Sequence, residues 1–509
     1  MKVSQQRKVG AVLSYVAIIA STLVQLLYTP FLVSKLGQGE YGLYSLVSSI
    51  IGYLTILDLG FGNAIIVHTA KYRATGETEK EKTLHGMFKV VYFCIGIIAA
   101  IAGIIMSLNS EVLFGDSMSA EDVAKMRTML LILSFNLFLT FSFSIYNSII
   151  TASESFVFQK LLTIIGTITK PLLMIPILFM GYKSVALCIV ITIVNVATLL
   201  ANYIYCKKKL GISVKFRGFD RGLFKIVFGY SFFIFLTQIV DQINWHADQF
   251  ILGIVSGTIA VSIYSAASQI NAMVVNLSTA MSGVLLPKIS KMVAKKASAS
   301  KLSDEMVKVG RMQFLVIFLV VSGFVLVGKQ FMLAWLGDGF EESYIVTLLL
   351  ILPAVLSLIQ NTGLAIMQAM NKFRFKATAT FVMAIVNIFI SIFLARLYGA
   401  VGAALGTTIS IVICNVIVMN IYYRKNIKLD VINFWKNILI MFFKFLIPVL
   451  ATVALINITD LHGWVAVLTY GLFYTIIYSV TAYLFVMNKY EKNVVNVVYK
   501  KLFLRWRKK

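Results

Sequence analysis

The sequence predicts an all-α integral membrane protein with about 14 transmembrane helices: two six-helix, pseudo-symmetric halves followed by two more helices. Three observations predict it. Of 509 residues, 59 % are hydrophobic and only 13 % are charged, about half the charged share of an ordinary soluble chain. The apolar residues come in runs of about 20, long enough at roughly 1.5 Å per residue to cross a hydrocarbon layer of about 30 Å. The basic residues fall almost wholly between alternate runs.

Lipid offers the backbone no hydrogen bonds, so each run must satisfy its own amides as a helix. The runs lack the two-residue alternation of barrel strands. In order, the spans read 10–33, 41–68, 87–109, 128–150, 161–180, 184–206, 223–251, 259–286, 312–328, 344–368, 377–395, 401–423, 437–456 and 464–487. Numbering the connections alternately, one side holds 38 Lys and Arg, span ends included, and the other holds 6. Cytoplasmic loops carry the excess of Lys and Arg, so both termini are expected in the cytoplasm of a plasma membrane. The net charge of +25 is therefore a sidedness signal and an attraction for anionic lipid heads, not a nucleic-acid footprint.

The first run follows Lys2, Arg7 and Lys8. It is too long for a signal-peptide core and no small-x-small cleavage site follows, so it reads as the first helix. Positions repeat at a shift of about 220 residues: Gly37 with Gly257, Tyr44 with Tyr264, Lys71 with Lys291. Ala152, Phe156 and Phe158 match Ala369, Phe373 and Phe375, while Gly181 and Asn202 match Gly399 and Asn420. The expected organisation is an N-terminal lobe over 1–206, a basic connector over 207–222 and a second lobe over 223–423. Two further helices over 424–487 and a basic cytoplasmic tail over 488–509 complete it. Even-numbered halves enter the membrane from one side, as in transporters built from parallel repeats, whose sites lie between the halves near mid-membrane.

No phosphate-binding loop, metal-ligand spacing or nucleophile–base grouping occurs, so neither an enzyme nor a metal or cofactor is expected. The four cysteines (Cys94, Cys188, Cys206, Cys414) read as packing residues. All six prolines (Pro30, Pro171, Pro176, Pro287, Pro353, Pro448) lie in or beside spans, where each removes a helix hydrogen bond. Ionisable residues inside spans carry the information, since each costs about 2.5–3.5 kcal/mol at a helix centre. Asp241 and Asp248 are seven residues apart and share a face of the seventh helix with Gln238, Asn244 and Trp245. The first helix offers Gln25 and Tyr28, the second Tyr44 and Asp58, the eighth Tyr264 and Asn271. Together these stripes line a substrate cavity or an ion-coupling site, or else they are interhelical hydrogen-bonding glue. Lys170, before Pro171 in the fifth helix, is a counter-charge either for an anionic substrate or for one of the aspartates. Lys444 lies outside both halves and is expected to reach for the interface.

The segment Leu36-Gly37-Gln38-Gly39-Glu40-Tyr41-Gly42-Leu43-Tyr44, with Leu57-Asp58-Leu59-Gly60-Phe61-Gly62-Asn63-Ala64, resembles bacterial polysaccharide transporters. These are the O-antigen and capsule flippases of the multidrug/oligosaccharidyl-lipid/polysaccharide exporter superfamily. Asp248-Gln249-Phe250-Ile251-Leu252-Gly253 and Tyr264-Ser265-Ala266-Ala267 look like that family's repeat of the motif. The resemblance implies a flippase that carries an undecaprenyl-diphosphate-linked sugar repeat unit to the outer leaflet by alternating access. Its implied partners are the polyprenyl-diphosphate-linked glycan, membrane lipids, H+ or Na+ in some members, and other polysaccharide assembly proteins. Two alternatives stand beside it: a flippase for the peptidoglycan precursor lipid II, and a cation-coupled multidrug exporter.

Overall fold

The computed structural model describes residues 3–212, 214, 216, 218–282 and 285–506. Lys2, the connector residues Ser213, Lys215 and Arg217, and the tail residues Arg507, Lys508 and Lys509 lie outside the described residues. Among the described residues all regular structure is helical. The order is α1 (Val3–Leu36), α2 (Gln38–Leu54), α3 (Phe61–Thr75), α4 (Thr78–Leu108), α5 (Ser110–Phe114), α6 (Ala120–Ala152), α7 (Phe156–Phe179), α8 (Ser184–Ile204), α9 (Arg221–Val255) and α10 (Gly257–Ser282). It continues with α11 (Leu285–Ala294), α12 (Ala299–Leu336), α13 (Glu341–Leu358), α14 (Asn361–Ala369), α15 (Phe373–Ile411), α16 (Met419–Tyr422), α17 (Val431–Ile458), α18 (Gly463–Thr481) and α19 (Lys489–Trp506).

Among the described residues twelve helical stretches are long and apolar enough to cross a membrane, or thirteen if the two arms of α9, bent by 47°, form one span. One of the twelve, Phe373–Ile427, is 55 residues long, about 80 Å if straight. It is not straight: Gly399 has φ +54 beside a non-helical Tyr398, and Ser391 Oγ donates to the Ala403 carbonyl across the fold. Fourteen, the number read from hydropathy, is reached only when α9 is counted as one span and the two arms of Phe373–Ile427 as two. Large apolar side chains stay exposed along these helices, Leu27 at 76 %, Phe389 at 69 % and Ile458 at 82 %. Water would penalise such a surface; lipid does not. Cys94 belongs to it, being exposed, whereas Cys188, Cys206 and Cys414 are buried as expected.

The chain forms two compact units, Met1–Ser265 with Ala384–Gly406, and Ala266–Met383 with Thr407–Lys509. The first packs around Phe61, Phe88, Tyr92 and Ile145; the second packs around Phe314, Phe434, Phe445 and Tyr478. In the first unit a Cβ at Gly103 would meet Ser134 Oγ at 1.9 Å, so α4 and α6 approach at a glycine contact that no larger residue permits.

Positions matched by the repeat adopt matching structure. Gly37 and Gly257 both have positive φ, +83 and +78, at the start of α2 and α10. Gly181 and Gly399 do so as well, at +85 and +54. Phe158 stacks on Tyr205 with ring centroids 3.9 Å apart, and Phe375 stacks on Tyr422 at 4.0 Å. The same aromatic clasp is thus built once in each half.

Some elements run further than hydropathy suggested. The outer connection read over Ser110–Arg127 contains α5 and the first turns of α6, and the one over Lys329–Ser343 begins inside α12. Both extensions are capped or polar at their ends, so they register as loop in a hydropathy window. Ser119 caps α6 by accepting from the Asp122 amide at 3.2 Å.

Candidate functional site

The second span is interrupted. After a 3-10 turn over Thr55–Asp58, Leu59 and Gly60 take left-handed φ values of 52° and 73°, and α3 begins anew at Phe61. Gly60 is required twice over: by its φ, and because a Cβ there would sit 2.8 Å from Ile234 of α9. The break leaves amides without helical partners beside Asp58. The Gly60 and Gly62 amides and the Gln238 side chain lie close to its carboxylate. The fully buried Tyr92 hydroxyl donates to Oδ1 at 2.8 Å. Asp58 and Gln238, two members of the predicted polar stripes, are therefore brought together, with Asp58 tying α2, α4 and α9.

Asp241 and Asp248 share a face of α9 but not an environment. Asp241, Asn244 and Trp245 are exposed, while Asp248 is 4 % exposed and accepts a hydrogen bond from the Tyr264 hydroxyl of α10. Asn271 is half-buried further along α10, in the part that belongs to the second unit.

Lys170 is half-buried in α7, and no described residue hydrogen-bonds or ion-pairs with it. It is not the partner of an aspartate. Its neighbour α1 runs parallel in fixed register: Gly10 faces Phe156, and the Tyr28 hydroxyl donates to Met174 Sδ at 3.1 Å. The same offset puts the exposed Gln25 level with Pro171, so Gln25, Tyr28 and Lys170 occupy one helix pair. Lys444 donates to the Phe485 carbonyl at 2.8 Å, closing the end of the last span.

Three features were not singled out from sequence. The first is a close seam in the first unit between α2 and the α9–α10 pair. A Cβ at Gly42 would lie 1.8 Å from the Thr258 carbonyl, one at Gly253 would lie 2.6 Å from Leu46, and one at Gly52 would lie 2.7 Å from His246. Ser49 Oγ donates to the His246 carbonyl at 3.1 Å.

The second is Glu40, only 8 % exposed. It accepts from the Ser184 amide and hydroxyl at 3.2 and 2.7 Å and pairs with Lys125 at 3.1 Å. One carboxylate thus joins the first, third and fifth connections. Ser117 in the third connection donates to the Gly253 carbonyl at 2.7 Å, and Ser256 donates to the Ala395 carbonyl at 3.4 Å, adding the seventh and eleventh. Even-numbered connections meet elsewhere, Arg73 with Glu81 at 2.7 Å and with Ser153 at 2.7 Å. Odd and even connections segregate, as strict alternation across a membrane demands.

The third is Arg311, read as lying one residue outside a span. It is buried within α12 and holds both Glu491 oxygens, at 2.7 and 2.9 Å. Its signal in the sequence was slight, since a window average cannot place one arginine beside an acid 180 residues away.

Residues 9–293, more than half of the chain, match the family described as polysaccharide biosynthesis protein. The chain belongs to that family. A Shigella flexneri protein provisionally named an O-antigen transporter is 19 % identical over 412 residues, covering 79 % of this chain and 94 % of that one. The solved structure of lipid II flippase MurJ in an inward closed conformation covers 94 % of this chain and 98 % of its own, at 19 % identity and a TM-score of 0.72. An inward-facing multidrug resistance MATE transporter of the MOP superfamily covers 82 % and 99 %, at 14 % identity and a TM-score of 0.66. At such identities the structural matches speak for fold alone. This polysaccharide biosynthesis family member is a multi-pass membrane protein with the fold of those transporters.

Proposed function

We propose that the protein is a flippase for a polyprenyl-diphosphate-linked oligosaccharide, moving the repeat unit from the cytoplasmic to the outer leaflet with both termini cytoplasmic. The observation that carries the reading is Lys170, a half-buried cation within a membrane span that has no counter-charge among the described residues. Membership in a polysaccharide biosynthesis family with a transporter fold supports it.

The chemistry suits such a cargo. Each sugar hydroxyl taken into hydrocarbon without a partner costs about 2–7 kcal/mol, and ionised phosphate costs more, so the headgroup cannot cross lipid unaided. Lys170 is the counter-charge for phosphate, and Gln25, Asp241, Asn244 and Trp245 supply exposed hydrogen-bonding and stacking surface for sugar. Asp58 and Asp248, both engaged within the helix packing, are positioning groups and carry any H+ or Na+ coupling. Alternating access requires the α2–α9 seam to part when cargo leaves outward. Deleting the gene is expected to abolish surface polysaccharide while lipid-linked repeat units collect in the inner leaflet. Normal surface polysaccharide in the deletion strain overturns the proposal.

The similarity to lipid II flippase MurJ in fold favours a second reading, transport of the peptidoglycan precursor. Depletion separates the two: lipid II transport predicts loss of viability, polysaccharide transport predicts viable cells with bare surfaces.

A further inference from the structure

In the second unit, α12, α17 and α19 flank an open hollow of about 640 Å³ whose lining includes Lys308, Arg311, Asn433 and Lys489. Its walls are fixed from within. Arg311 is spent on Glu491 and on the Val486 carbonyl at 3.0 Å. Glu491 and Asn488 cap each other at the start of α19, with the Asn488 amide donating at 2.9 Å and the Glu491 amide returning a bond at 2.9 Å. Lys308 lies over the Tyr490 ring, 3.5 Å from its centroid, which holds the ammonium at the hollow without neutralising it.

Donors remain unused. Neither Lys308 nor Lys489 has an anionic partner among the described residues. The Asn433 side-chain oxygen accepts from Asn437 at 3.0 Å, so the Asn433 side chain has only its amide nitrogen left to offer, as a donor. The hollow also lies at the N-terminal ends of α17 and α19, where helix dipoles favour an anion. Against these stands a single acid without a basic partner in the lining, Asp304. With Arg311 and Glu491 cancelling, two lysines and one aspartate leave one net positive charge. That balance suits a phosphodiester better than a diphosphate.

The level of the hollow argues for a lipid. Val486 ends the last span, Asn488 follows two residues later, and exposed Leu484 and Phe485, at 57 and 62 %, lie just below. A headgroup in the hollow would lay its chains along them. We propose that this hollow binds the phosphodiester headgroup of an anionic phospholipid, tying the tail helix to the membrane surface.

The test uses the full-length protein, delipidated in detergent and titrated with phosphatidylglycerol by native mass spectrometry. Lys308→Gln/Lys489→Gln is expected to weaken retention about tenfold or more. A charge-matched control, Lys291→Gln/Lys295→Gln, is expected to retain the lipid like the parent, as is Lys308→Arg/Lys489→Arg. Equal retention by the Gln pair and the control overturns the proposal. Displacement of phosphatidylglycerol by equimolar inorganic phosphate would instead make the hollow a soluble-anion site. Stronger lysine-dependent retention of a polyprenyl diphosphate would make it a cargo site. Either result overturns the phospholipid assignment, and none depends on whether the protein transports a glycan.

Discussion

Asp58 shows what a single half-buried carboxylate does when a membrane helix breaks. The Tyr92 hydroxyl donates to it, so replacing it with an apolar residue of similar size strands that hydroxyl, at about 1–3 kcal/mol. Asp58→Leu is expected to lower the thermal unfolding temperature in detergent markedly, whereas Asp58→Asn, which keeps acceptor capacity, lowers it less. Equal midpoints for the two variants would contradict the bracing role. Lys170 makes the opposite prediction: nothing leans on it, so Lys170→Ala should leave the unfolding midpoint unchanged while surface polysaccharide falls at least tenfold, and Lys170→Arg should retain most of it. Normal polysaccharide in the alanine variant removes Lys170 from the cargo path. Both residues were visible in the sequence as charges within apolar runs. Tyr92, which completes the Asp58 cluster, was not, because a tyrosine in a membrane helix carries no mark of its partner. Glu40 sat inside the motif that suggested the family, yet its role comes from Lys125 and Ser184, supplied by connections far along the chain.

At the level of helices, the seam between α2 and α9 is defined by where side chains are missing. The ideal Cβ of Gly253 lies 3.2 Å from Leu46 Cγ, near the geometry of a disulfide. In a background with the exposed Cys94 replaced, Leu46→Cys/Gly253→Cys is expected to cross-link on mild oxidation and halt export, with recovery on reduction. Export that continues with the bridge formed would show that this seam need not open. Hydropathy placed the spans well because the backbone has no alternative in lipid. It could not place the seam, since a glycine inside an apolar run means equally a close crossing or a flexible joint. The repeat was more informative: Gly37 with Gly257, and Phe158 with Phe375, marked positions where the two halves share a positive φ or an aromatic stack.

For the molecule as a whole, alternation was the most legible property. Lysines and arginines divide 38 to 6 between the two sides, and in the first unit connections from the two sides meet in separate groups, one around Glu40 and one around Arg73. Cysteines introduced at Glu121 and Asn493, both exposed, should therefore differ in intact cells. An impermeant maleimide is expected to label Glu121→Cys and to spare Asn493→Cys until the membrane is opened. The reverse pattern would invert the protein and with it the direction of transport. The nature of the cargo was less legible, because the surfaces proposed for it, such as Gln25 and Trp245, carry no distinguishing letter pattern.

The glycine contacts at Gly42, Gly52 and Gly253 have a kinetic consequence. Two helices that interlock through long side chains must first shuffle rotamers to come apart, and each shuffle adds friction. At Gly42 the α2 backbone rests directly on the Thr258 carbonyl, and at Gly52 and Gly253 only one partner, His246 or Leu46, brings a side chain to withdraw. Such a joint is firm while shut yet slides open in one low-barrier motion, which suits a gate that must swing once for every molecule released.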